Sequence, residues 1–308
     1  MFLNKIEKSV LTQPIILLQG ISGSGKTTFC SQIPNNLYLG VENTGTDIEN
    51  LIGKKHFQKY DDLKNILLEI RDIDKFDFKS VTIDSLTTVN YLMEQKILDD
   101  HLNNGKRSDN ISDNSNKLLN FGQGDKILTK MWEDLLDLII QIRDIKNVRF
   151  NLIAHQVQAQ ISNSLEETTI TKEIADINKK ALNKVLASVD IVMAIEKVYK
   201  LKDYKEGFMG GPNKKMVKQE TTVLRMNSNY IMGKVRDQYF DPNVVKNGII
   251  TIDGEEYDLG EYPLSEKNKM FDDFEKLIHP TLKLKLKSAP TVETKKTGIA
   301  ESIINKKD

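Results

Sequence analysis

Short unbroken apolar runs alternate with longer stretches whose apolar residues recur three and four positions apart, and this rhythm organises the first two thirds of the chain. The runs Pro14–Leu18, Leu37–Val41, Ser80–Ile83, Val148–Ala154 and Asp190–Ile195 read as strands covered on both faces. Between them, Thr28–Gln32 opens a helix, and Leu63, Ile66, Leu67 and Ile70 predict a second one capped by Asp61. Tyr91–Leu102 predicts a third helix, and Ile127, Met131, Leu135, Leu138 and Ile142 mark one face of a long fourth. Ile174–Ser188 predicts a fifth. Strand–helix pairs in series imply an α/β fold with a mostly parallel central sheet flanked by helices.

Two polar segments interrupt the rhythm. Residues 103–124 are rich in Asn, Ser, Asp and Gly, and 156–171 are polar and β-prone; both predict loops facing solvent. A compact domain seldom keeps a loop as long as the first without a use for it. From Lys197 to Arg225 the pattern changes to alternation around Gly207, Gly210, Gly211 and Pro212, which predicts a β-hairpin extension with a basic tip. Gly248–Asp258 predicts a smaller hairpin and Leu264–Leu277 a helix. Beyond Ser288 the chain is rich in lysine and poor in large apolar residues, a composition that predicts disorder. The expected organisation is one α/β domain over 1–280, with its core at about 10–240, and a lysine-rich tail at 281–308.

With 39% hydrophobic and 29% charged residues the chain has ample core for a soluble globular protein, and no apolar run approaches the roughly 18 residues of a membrane span. The N-terminus lacks the apolar stretch of a secretory signal, and a single cysteine, Cys30, excludes an internal disulfide framework. Both fit a reducing cytoplasm. The 44 basic and 44 acidic residues cancel, so no global field draws the chain to nucleic acid. Local excesses remain: seven lysines between Lys197 and Lys218 against Asp203 and Glu206, and seven in 281–308 against Glu293, Glu301 and Asp308. Each is either a solvated surface or a nucleic-acid contact.

The chemistry begins at Gly20-Ile21-Ser22-Gly23-Ser24-Gly25-Lys26-Thr27, which satisfies G-x-x-x-x-G-K-[ST] between a predicted strand and a predicted helix. Glycines let successive N–H groups wrap a polyphosphate, and the helix beginning at Thr28 adds the positive end of its dipole. Lys26 supplies a point charge for the β- and γ-phosphates, while Thr27 offers a hydroxyl to Mg²⁺. Asp84, closing the third strand, is the expected Mg²⁺-organising acid; its alternative is helix capping, a task Ser85 can share.

Many P-loop motors place the water-activating Glu directly after this Asp, but here Ser85 follows. Glu42, ending the second strand at the same sheet edge, is the candidate base; the alternative is capping a helix that starts near Thr46. His155 and Gln156, where the fourth strand leaves the sheet, are candidate sensors of the γ-phosphate.

In order, the phosphate loop, Glu42, Asp84-Ser85, a long loop ending at Phe121-Gly122-Gln123-Gly124, and His155 resemble the RecA-like P-loop NTPase core. They are similar in kind to the phage-encoded RecA-like single-strand annealing ATPases. That resemblance implies ATP and Mg²⁺ as ligands, ATP hydrolysis, a homo-oligomeric ring or filament, and single-stranded DNA as partner. The lysine-rich tail is left to contact either DNA or a single-strand-binding protein, no membrane is involved, and for a phage-encoded chain the cytoplasm is the host cell's.

The resemblance also matches Lys234-Val235-Arg236 to the basic pair that enters a neighbour's ATP site. It likewise matches 103–124, with Lys106, Arg107 and Lys117, and 156–171 to the DNA-binding loops. Those loops hold few cations and one aromatic, Phe121, so Lys214, Lys215 or the tail would supply part of the affinity. Two other activities stay open: a RecA/DnaB-type ring helicase or motor, and a nucleotide-switched loader or regulatory module.

Overall fold

Strand β1 (Ile15–Gly20) is buried along its whole length, with Ile15 and Leu17 in one hydrophobic core and Ile16 and Leu18 in another. That alternation is what a strand covered on both faces requires. The computed structural model describes residues 11–45, 47–103, 123–163, 168–204, 215–226, 234–264 and 268–284. The other parallel strands are β2 (Asn36–Gly40), β3 (Leu51–Ile52), β4 (Ser80–Asp84), the first half of β5 (Arg149–Asn163) and the start of β7 (Ile191–Tyr204). To these are added β6 (Thr168–Ala175), β8 (Lys215–Arg225) and β12 (Tyr262–Pro263), all antiparallel to their neighbours. The order is β12-β8-β7-β1-β5-β4-β2-β3, with β6 on β5, so β5 lies between the loop strand and the Asp84 strand. A separate small sheet joins β9 (Val245–Lys246), β10 (Ile249–Ile252) and β11 (Glu255–Asp258).

One face of the main sheet is covered by α2 (Tyr60–Asp72), α3 (Leu86–Asn103), α4 (Gln123–Lys146) and α5 (Lys179–Ser188). The other face is covered by α1 (Lys26–Ser31), α6 (Met270–Leu277) and part of the small sheet. Phe29 of α1 meets Phe271 and Phe274 of α6 edge-on, with ring centroids 5.8 and 5.7 Å apart. The α/β core, a mostly parallel central sheet flanked by helices, therefore stands as the sequence implies, with a hairpin extension formed by β7–β8.

Several local expectations are corrected. Residues 156–171 do not form a loop: 156–163 pair with 168–175, continuing β5 into a hairpin. Ile174 and Ala175 belong to β6, and α5 begins at Lys179, capped by the Asn178 side chain. Helix α2 is capped by Asp62, whose carboxylate accepts from the Gln58 and Lys59 amides, while Asp61 pairs with Lys96 at 2.8 Å. On α4 the buried face runs through Leu128, Trp132, Leu135, Ile139 and Ile142, whereas Ile127 is exposed, so the face is turned by about one residue. Helix α3 starts five residues earlier than expected, at Leu86 instead of Tyr91, and α6 starts at Met270. The loop at 104–122, the hairpin tip at 205–214, the side chain of Lys215 and the tail from 285 lie outside the described residues.

Candidate nucleotide site

The carboxyl ends of β1, β5, β4 and β2 come level with one another. Gly20 pairs with His155, Asp84 with Ile153, and Gly40 with Asp84. Functional side chains borne just beyond these ends face a common crevice, as open parallel sheets dictate. A cleft of about 500 Å³ occupies it, lined by Ser22–Thr28, Glu42–Gly45 and His155, and on its far side by Lys197, Glu220, Thr222 and Met270.

The phosphate loop is shaped by two glycines in particular. A Cβ on Gly20 would stand 2.7 Å from the backbone oxygen of Ile195, so no side chain fits. Gly25, at φ 110°, begins α1 in the left-handed region that other residues rarely adopt. Lys26 Nζ donates to the carbonyls of Gly20 (2.7 Å) and Ile21 (2.8 Å), holding the ammonium within the curve of the loop. Burial lowers its pKa, against the attraction of Asp84 and Glu42.

Asp84 is 1% exposed. Thr27 Oγ1 donates to its Oδ2 at 3.0 Å, and so does the hydroxyl of Tyr38, from the neighbouring strand. Among the described residues no group donates to Oδ1, which is fully buried, and Ser24 Oγ is orphaned in the same way. Burial raises the Asp84 pKa despite the two hydrogen bonds, and the nearby Glu42 adds to the rise. An orphaned, desolvated carboxylate beside a hydroxyl and an amide-lined loop fits a metal–triphosphate: Thr27 and Asp84 would hold Mg²⁺, and the loop amides with Lys26 the phosphates. When bound, Mg²⁺ neutralises charge on the phosphate oxygens.

Glu42 sits opposite. Its Oε2 accepts from Ser85 Oγ (2.6 Å) and Thr88 Oγ1 (3.0 Å) and lies 3.2 Å from His155 Nε2. Burial would raise its pKa, but the Ser85 and Thr88 hydrogen bonds and His155 outweigh that and hold it below the ordinary glutamate value. Among the described residues all three partners act on Oε2, and none donates to Oε1. Such a carboxylate stays ionised and oriented, as a base for a water facing the γ-phosphate must be. Ser85 Oγ also accepts from the Thr88 amide at 3.4 Å in the first turn of α3, so the cap belongs to Ser85 and not to Asp84.

Not every candidate joins this group. Gln156 points to the other face of the sheet, where its amide donates to Glu173 of β6. Lys234 Nζ donates to the carbonyls of Leu186, Ala187 and Val189 at the end of α5. Arg236 pairs with the buried Asp190 at 2.8 Å. Asp190 Oδ2 accepts from the Ile15 amide, so Lys234 and Arg236 lie at the amino end of β1, roughly 16 Å of strand from the loop. Tyr38, Thr88, Glu220, Thr222 and Met270 escape the sequence reading. A tyrosine amid the apolar residues of β2, and the facing pairs of an alternating hairpin, were the available signals.

Residues 12–229 match the AAA domain family. The chain belongs to this family of P-loop ATPases. Its fold is similar to the RadB recombinase, at 13% identity and TM-score 0.36 over 69% of this chain and 81% of that one. It is also similar to a KaiC-like protein of the hyperthermophilic archaeon Pyrococcus horikoshii, at 11% identity and TM-score 0.36 over 83% and 92%. No curated protein matches the sequence. Among the described residues no helix is long and apolar enough to cross a membrane.

Proposed function

We propose that this protein hydrolyses Mg²⁺–ATP and works as an oligomeric, single-stranded-DNA-binding recombination ATPase that promotes strand annealing or pairing. The observation that carries the reading is the convergence of Lys26, Thr27, Glu42 and His155 on one cleft, with Asp84 buried behind it and bonded to Thr27, and with β5 running unbroken from His155 into the β5–β6 hairpin. A change at the γ-phosphate that shifts the Glu42–His155 contact would reach the hairpin through a single strand. The exposed Tyr199 on β7 offers an aromatic face of the kind that stacks unpaired bases. In an assembly, the Lys234–Arg236 pair would face a neighbour's cleft, with Arg236 as the group that reaches the transferring phosphate.

A second reading, a nucleotide-switched partner-binding module, rests on the charge of the β5–β6 hairpin. From Gln156 to Ala175 it holds one lysine, Lys172, against Glu166, Glu167 and Glu173. Steady-state ATP hydrolysis with and without single-stranded DNA, at low and high salt, separates the two. The recombination reading predicts severalfold stimulation that fades as salt displaces phosphate contacts. Hydrolysis indifferent to DNA at both salts would favour the module.

A further inference from the structure

The cleft has two unlike ends. The hydrolytic groups Asp84, Glu42 and His155 stand over β4, β2 and β5, on one side of β1. On the other side stand β7, β8 and α6, which bring Lys197, Glu220, Thr222 and Met270 to the same cleft. A triphosphate whose β- and γ-phosphates are fixed by Lys26 and Thr27 must run its α-phosphate and nucleoside away from Glu42, toward this second end.

The chemistry there suits a nucleoside. Lys197 and Thr222 face each other across the hairpin, as do Tyr199 and Glu220, so all four side chains share the face that carries Ile195 against Gly25. Glu220 is held by Lys197 at 2.8 Å and by the Tyr199 hydroxyl at 3.1 Å, which orients its carboxylate. Met270 is buried at the start of α6, its Cε 3.2 Å from where a Cβ on Gly25 would lie. A thioether is soft and polarizable and packs well on aromatic rings. Phe271 and Phe274 anchor the helix on Phe29, so the methionine is presented rigidly.

We infer that Met270 and Glu220 form the nucleoside subsite for a nucleoside triphosphate, Met270 packing on the base and Glu220 accepting from the ribose hydroxyls. This rests on the nucleotide reading above and deepens it. Helix α6 lies beyond the matched domain, which ends at residue 229, so the C-terminal segment completes the substrate site.

Competition binding with ATP, 2′,3′-dideoxyATP and inorganic tripolyphosphate, all with Mg²⁺ and the full chain, tests it. Met270→Ala is expected to weaken ATP about threefold to tenfold and leave tripolyphosphate unchanged, with Met270→Leu keeping most of the affinity. Glu220→Ala is expected to erase the preference for ATP over the dideoxy nucleotide. Unchanged ATP affinity in Met270→Ala, or equal loss of ATP and tripolyphosphate, would overturn the base platform. An unchanged ATP-to-dideoxyATP ratio in Glu220→Ala would overturn the ribose assignment. Wild-type protein that binds neither ATP nor tripolyphosphate would instead overturn the nucleotide reading beneath the proposal.

Discussion

Asp84 is buried at the end of β4 with Oδ1 free of any described donor, while Thr27 and Tyr38 both donate to Oδ2. Burial raises its folded-state pKa, so the stability it contributes is present at low pH and is lost as pH rises through that raised value. Asp84→Asn removes the charge and keeps an acceptor for Thr27 and Tyr38. In thermal melts at neutral pH the nucleotide-free variant is expected to unfold no lower than wild type, yet to lose the rise in melting temperature produced by Mg²⁺–ATP. Glu42, in contrast, is held below its ordinary range and stays ionised further into acid. The acid-side loss of Mg²⁺–ATP affinity should therefore follow Asp84 and not Glu42, so Glu42→Gln should leave it in place in a pH series of binding isotherms.

Lys26, Thr27, Asp84, Glu42 and His155 were legible in sequence because each follows a strand end or a fixed spacing. Tyr38 and Thr88, which bond to Asp84 and Glu42, and Met270, which stands beside Gly25 in the cleft wall, were not, since each contact joins residues far apart in the chain.

At the scale of elements, the parallel core was legible because its strands are apolar on both faces, whereas the β5–β6 hairpin is polar enough to resemble a loop. Register errors had a similar source: α4 carries apolar residues around much of its circumference, so periodicity favoured Ile127 where packing selects Leu128 and Trp132. Helix α6 is tied to the sheet by a buried ion pair that no local pattern announces. Arg149, on the first residue of β5, is fully buried, pairs with Glu275 and donates to the Leu282 carbonyl at 3.0 Å. Glu275 also accepts from the Leu284 amide at 2.9 Å. Glu275→Ala leaves a buried guanidinium without its counter-ion and is expected to cost about 3–5 kcal/mol in urea unfolding. A change under about 1 kcal/mol would mean that water reaches Arg149, because only an exposed pair is worth so little.

Over the whole molecule the charge is balanced, with 44 basic and 44 acidic residues. Arg236 is about half exposed at the edge of the sheet opposite the cleft, a position from which it can serve a neighbouring copy but not its own site. Mixed with wild type, Arg236→Ala is expected to depress turnover more than its mole fraction; linear dilution would assign Arg236 to its Asp190 pair alone.

The central claim, that ATP is hydrolysed in this cleft with Glu42 as base, is tested most directly by ATP affinity and single-turnover hydrolysis in Glu42→Gln. Glutamine keeps an acceptor for Ser85 and Thr88 but cannot take a proton. The predicted result is affinity within about threefold of wild type and a hydrolysis rate at least about a hundredfold lower. Hydrolysis at the wild-type rate would contradict the account and place the base elsewhere.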